Sequence, residues 1–138
     1  MWWVYALLSA AFAALTAIFA KLGVEKINSN LATGIRTLVV IVMLWAIIFA
    51  RGEQKGVTAL SRHTILFLGL SGIGTGLSWL FYFKAIQLGN VSQVAPIDKL
   101  SVALTIVLSA IFLNEALTIK TIVGAGLIIA GTIVLIFK

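Results

Sequence analysis

Cysteine is absent from these 138 residues, and the chain holds one proline, one histidine and four acids. Without cysteine there are no disulfides, thiol nucleophiles or thiolate metal sites, and compartment stays open. The lone histidine, His63, stands beside Arg62 with no His, Asp or Glu at metal-ligand spacing. Glu25, Glu53 and Glu115 all fall in turns, where solvated or capping roles are the default, and no glycine-rich phosphate loop is present. These absences argue against an enzyme and against any cofactor or metal. Charge is scarce too: 10% of residues are charged, against about 25% in a soluble domain. With 62% hydrophobic residues, the chain reads as an integral membrane protein with a single domain over residues 1–138. The net charge of +6 does not indicate nucleic acid. No basic patch is interleaved with stacking aromatics, and the bases sit mostly at the ends of apolar runs, where they meet lipid headgroups.

What is there is long apolar runs. A helix crossing the hydrocarbon core needs about 20 residues. Five stretches qualify: Trp2–Leu22, Leu31–Ala50, Thr64–Leu88, Ser92–Leu113 and Thr118–Phe137. The fold class expected is all-α, with five transmembrane helices. The first run lacks a basic segment before it and is read as a retained span. Trp2, Trp3 and Tyr5 suit an interfacial aromatic belt. "RGEQKGVTALSR" (Arg51–Arg62) reads as an aqueous loop. "GN" (Gly89–Asn90) and "NEA" (Asn114–Ala116) read as tight turns, with Ser92 as the N-cap of the fourth helix.

Five spans put the termini on opposite sides. The N-terminal side receives Arg51, Lys55, Arg62 and Lys120. The other side receives Lys21, Lys26 and Lys138, joined by Arg36 and Lys84 if these snorkel toward it. Orientation follows the bias in flanking bases, and here there is almost none. Either the balance is incidental or the chain inserts both ways.

The polar residues inside the spans form stripes at helical spacing. Asp98, Ser101, Thr105 and Ser109 share one face of the fourth span. Ser71, Thr75, Ser78 and Tyr82 do so in the third, and Ser9, Ala13, Thr16 and Ala20 in the first. Such hydroxyls either line an interior or return to their own helix carbonyls. Asp98 separates the two ideas, because an ionised group at depth costs a few kcal/mol. Asp98 and its neighbour Lys99 project about 100° apart on a helix and are not ideally placed to pair. Arg36, at a similar depth in the second span, is the best partner for Asp98, with Lys84 next. Pro96 either occupies the first turn of the fourth helix or frees a carbonyl near Asp98. Gly72 with Gly76, and Gly126 with Ala130, form small-residue pairs that let helices approach closely. The fifth span has almost no polar content beyond Thr132 and reads as a packing or dimer-forming helix.

In order and spacing, several segments resemble one repeat of an EamA-like transporter of the drug/metabolite transporter superfamily. "AIFAKLGVEKI" (Ala17–Ile27) followed by Arg36 is similar to the start of that repeat. "LFYFKAIQLGNVSQVAPI" (Leu80–Ile97) is similar to its passage from third to fourth helix. "FLNEALT" (Phe112–Thr118) resembles its acidic turn, with Asn114 where glycine is frequent, and "GAGLIIAG" (Gly124–Gly131) resembles its closing helix. Many members place a proline where this chain has "KLS" (Lys99–Ser101). Full-length members carry two inverted five-helix repeats, so the resemblance implies that two chains supply the pair as an antiparallel homodimer.

The function expected is secondary transport of a small metabolite or drug-like solute across the plasma membrane, by rocking one repeat against the other around a midplane site. Its pathway would hold Asp98, Arg36, Lys99, Lys84, Tyr82, Trp79, Ser101, Thr105 and Ser78. A flippase for lipid-linked headgroups and a non-transporting scaffold or partner subunit are the alternatives. Small multidrug resistance relatives carry a glutamate in their first helix. Here that span has no acid before Glu25, so their proton exchange is not carried over.

Overall fold

The computed structural model describes residues 1–136. Among them run six α-helices: α1 (Trp2–Val24), α2 (Ser29–Arg51), α3 (Arg62–Leu88), α4 (Val91–Asp98), α5 (Leu100–Phe112) and α6 (Ile119–Ile136). With α4 and α5 taken together as Val91–Phe112, five segments are long and apolar enough to cross a membrane. Lipid offers no hydrogen bonds, so a spanning backbone must satisfy itself, and these near-continuous Leu, Ile, Val and Ala runs do so as helices. Phe137 and Lys138, assigned above to the last span and its flank, lie outside the described residues.

The chain divides into two compact units. One joins Met1–Ile18 to the chain from Leu88 onward, and the other is Phe19–Gln87.

In the Phe19–Gln87 unit, the buried residues come from the last turn of α1, the first turns of α2 and the last turns of α3. They are Ala20, Val24, Ser29, Thr33, Phe83 and Ile86. Asn28 caps α2, accepting the Asn30 amide on its side chain at 2.8 Å. Gly52 ends that helix at φ 70°, a left-handed conformation that glycine adopts without strain, and its amide returns to Ile48 and Phe49. The expected aqueous loop is more ordered than its composition implies. Glu53–Ala59 winds into a 3-10 helix, and Arg51 meets Glu53 at 3.5 Å across the left-handed turn. Ser61 caps α3 by accepting the Thr64 amide at 3.1 Å.

In the other unit, α6 packs against both α4 and α5. The N-cap of α4 is Asn90, not Ser92. The Asn90 carbonyl already takes the Gln93 and Val94 amides at 3.0 Å each, so the helix begins before Ser92 is reached. Pro96 therefore sits inside the helix and leaves the carbonyl four residues back without its usual donor. The helix breaks at Lys99, whose ψ of −10° departs from helical geometry and whose amide turns back to Ala95 and Pro96. Asn114 takes φ 54°, the conformation for which glycine is favoured. A Cβ added at Gly72, Gly76 or Gly126 would meet nothing within 4 Å. The expected close helix approach at these glycines is thus not made among the described residues.

Candidate functional site

Arg36 is the eighth residue of α2, about 10 Å along the helix from its start. Its guanidinium carbon lies 4.4 Å from the centre of the Trp79 ring and 4.5 Å from that of Phe83. These two aromatics are one turn apart on α3, so a single helix face supplies both. Tyr82 meets Phe83 edge to face at 5.8 Å. A cation over an aromatic ring gains about 0.5–2 kcal/mol, more as water is removed. Ring faces do not accept the in-plane N–H bonds of a guanidinium as oxygens do. Accordingly, Nη1 of Arg36 is buried with no hydrogen-bond partner. No carboxylate among the described residues forms an ion pair with it.

The other bases of this unit's spans are served differently. Lys21 donates to the Ile86 carbonyl at 2.8 Å. Lys84 donates to the Gln87 side-chain oxygen at 3.3 Å, and the amide nitrogen of Gln87 donates to the Val24 and Ile27 carbonyls at 3.1 and 2.8 Å. The bonds are reciprocal. Lys21 on α1 satisfies a carbonyl near the end of α3, and Gln87 on α3 satisfies carbonyls at and beyond the end of α1. Carbonyls at helix C-termini lack intrahelical donors, and a cation there also meets the negative end of the dipole.

Asp98 is the eighth and last residue of α4. It pairs with Lys99, whose Nζ lies 3.4 Å from Oδ2. The helical 100° spacing argued against that pair. Lys99 keeps a helical φ of −69°, so the spacing persists, and it is the long lysine chain that curls back over one residue to reach the carboxylate. Within their own units, Arg36 rests on aromatic rings and Asp98 on its own neighbour. The Pro96 carbonyl at the break also accepts from Thr132 of α6 at 3.2 Å, a hydroxyl that bonds the Ile128 carbonyl as well. Thr132 is therefore more than a residue in a packing helix: it is buried and braces the bend.

Among the remaining candidates, Thr105 donates to the Ser101 carbonyl and Thr75 to that of Ser71. Ser109 bonds the Ile106 carbonyl. These hydroxyls return to their own helices, the plainer of the two readings of the stripes. Ser78 and Ser101 are exposed, and Trp79 and Tyr82 are half-buried. The structure thus gathers Arg36, Trp79 and Tyr82 in one unit and Asp98 with Lys99 in the other. Phe83 and Gln87 were not singled out from sequence. The signal for Phe83 was its place one turn after Trp79 and facing the depth of Arg36; for Gln87 it was an uncharged polar residue closing an apolar helix.

The sequence profile of the EamA-like transporter family matches residues 1–137. The chain belongs to that family. An uncharacterized transporter from the cobO 3' region of a Sinorhizobium species is 48% identical, over 97% of this chain and 95% of its own length. An uncharacterized protein of Methanocaldococcus jannaschii is 30% identical, over 94% of this chain and 91% of its own length. No solved structure matches. As an EamA-like protein with five membrane-spanning segments, the chain is an integral membrane protein of a transporter family.

Proposed function

We propose that this chain is half of a secondary transporter, moving a small metabolite or drug-like solute across the plasma membrane by alternating access as an antiparallel homodimer. The observation that carries the reading is the Arg36 site: a cation a third of the way along a spanning helix, seated on aromatic rings and lacking an acceptor. Ionisable groups at such depth mark solute paths more often than static structure. Two further observations support a paired assembly. The five-helix unit accounts for nearly the whole length of both relatives. A Cβ added at Gly72 and Gly76 of α3 or Gly126 of α6 would meet nothing within 4 Å, and small-residue faces of this kind suit close packing of a second chain. Near-equal bases on the two flanks favour insertion in both orientations.

The test is the purified chain in liposomes. Cross-linking in mild detergent should trap a dimer, and reporters at the C-terminus should be found on both membrane faces. Solute flux should follow the dimer across dilution into lipid. Full flux from a form held monomeric overturns the half-unit reading, and a single C-terminal location overturns dual insertion.

A further inference from the structure

The spans of α1, α2 and α3 contain five bases, Lys21, Arg36, Arg51, Arg62 and Lys84, and no acid. Arg51 and Arg62 sit at helix ends, where Arg51 has Glu53. Lys21 and Lys84 donate to oxygens of their own unit. Arg36 alone among the three interior bases has a buried nitrogen with no acceptor. An orphaned donor of this kind calls for an explanation, and the explanation is chemical. What Nη1 lacks is an oxygen acceptor, on a guanidinium that already rests on two aromatic rings.

We infer that Arg36 is the recognition residue for a small organic oxyanion, a carboxylate, sulfonate or phosphate monoester carrying an apolar body. This deepens the transport reading and rests on it, since the opening that alternating access requires brings solute to the buried Nη1. The charge pattern selects the sign. A stretch of spans with bases and no acid sets up a positive potential in a low-dielectric slab, which draws anions and repels cations. The guanidinium selects the geometry, because its paired N–H groups match two oxygens of one oxyanion. Trp79 and Phe83 select the body. They already hold the guanidinium, and as large apolar side chains beside it they favour an apolar group attached to the anion. Lysine would not substitute well, having neither a flat face for the rings nor a fork for two oxygens.

The experiment measures melting temperature of the detergent-solubilised protein against concentration of defined probes. The oxyanions are benzenesulfonate and phenyl phosphate as soluble sources and dioleoyl phosphatidate as a lipid source. Benzenesulfonamide is the neutral control and benzylammonium the cationic one. At least one oxyanion should raise the melting temperature in a saturable way, as a ligand of the folded state does. Neither control should do so. Stabilisation by phosphatidate alone identifies a lipid headgroup as the source, and stabilisation by the soluble probes identifies a free solute. Arg36→Gln should weaken the response about 10- to 150-fold, the range for losing a charge-assisted hydrogen bond. Arg36→Lys should keep a weaker response, and Trp79→Leu should reduce it without reversing the preference for anions; these variants serve if Arg36→Gln does not fold. No oxyanion response in the wild type, or equal response in wild type and both Arg36 variants, overturns the inference. So does an acid from a second chain occupying Arg36, since the site would then show no added-anion effect.

Benzenesulfonate flux separates this inference from the transport reading. It stays ionised and does not cross lipid unaided. Oxyanion binding without flux of any probe keeps the site and sinks transport. Flux of benzylammonium without oxyanion binding keeps transport and sinks the site.

Discussion

Arg36 and Asp98 are each the eighth residue of their helices, yet the chain treats the two charges in opposite ways. Around Arg36 the helix is unbroken, the neighbours are aromatic rings and the α-helices of its own unit hold no acid. Around Asp98 the helix is broken, and the counter-charge is the next residue. A local pair is neutral as a unit and asks little of its surroundings. A cation on rings is stabilised but still charged, and it remains able to take an anion. The difference teaches that an ionisable residue inside a span is not by itself a site. What matters is whether its own chain has already answered it.

Four measurements bear on that contrast. The largest effect belongs to Arg36→Gln, which should lower solute flux about 10- to 150-fold through loss of a charge-assisted contact, with dimer content unchanged by cross-linking. Unchanged flux would make Arg36 as inert as a neutralised pair. Next comes the clasp between α1 and α3. Gln87→Leu removes the donor to the Val24 and Ile27 carbonyls and should cost about 0.5–1.5 kcal/mol, read as a lower midpoint in denaturant titration. Gln87→Glu should recover little, because a carboxylate cannot donate to carbonyls.

Smaller effects are expected at the other charge. Asp98→Asn should lower stability by no more than about 1 kcal/mol, since the side chains of Lys99 and Asp98 are 58% and 35% exposed and such pairs contribute little. Adding Lys99→Gln should restore most of what was lost. A loss of several kcal/mol would show that Asp98 answers a buried base after all, and would erase the contrast with Arg36. Normal stability with lost flux would move Asp98 into the solute path. Thr132→Val should be the mildest, about 0.5–1 kcal/mol, because the Pro96 carbonyl keeps the Lys99 amide when the hydroxyl is removed. A larger loss would show that α6, and not the proline alone, sets the bend.

Much of the candidate site was visible before the structure, but as a set of residues and not as an arrangement. Arg36, Trp79 and Tyr82 were each marked by polarity or aromaticity at depth. The pairing drawn from them, Arg36 with Asp98, assumed that opposite charges at equal depth find each other. Within its own unit each charge has a nearer contact, Lys99 for Asp98 and the aromatic rings for Arg36, and helical spacing does not weigh the reach of a long lysine chain. The hydroxyl stripes were open to two readings for a related reason. Helical spacing shows that Thr75 and Thr105 share a face with other polar residues, but each can satisfy itself one turn back.

The five spans, the all-helical class and the short turns follow from the chain itself. An apolar run of about 20 residues in a bilayer has no other backbone solution than a helix. Asn114 is of the same kind, since a tight exit from a helix demands a left-handed residue and asparagine tolerates it. What only the tertiary structure decided is which partner each polar group takes. Arg36 goes to the rings of α3, Gln87 to the end of α1, and Thr132 to the carbonyl at the bend. These are choices among several acceptors within reach of long or rotatable side chains. Local spacing leaves such choices nearly degenerate, and the packing of one helix on another resolves them.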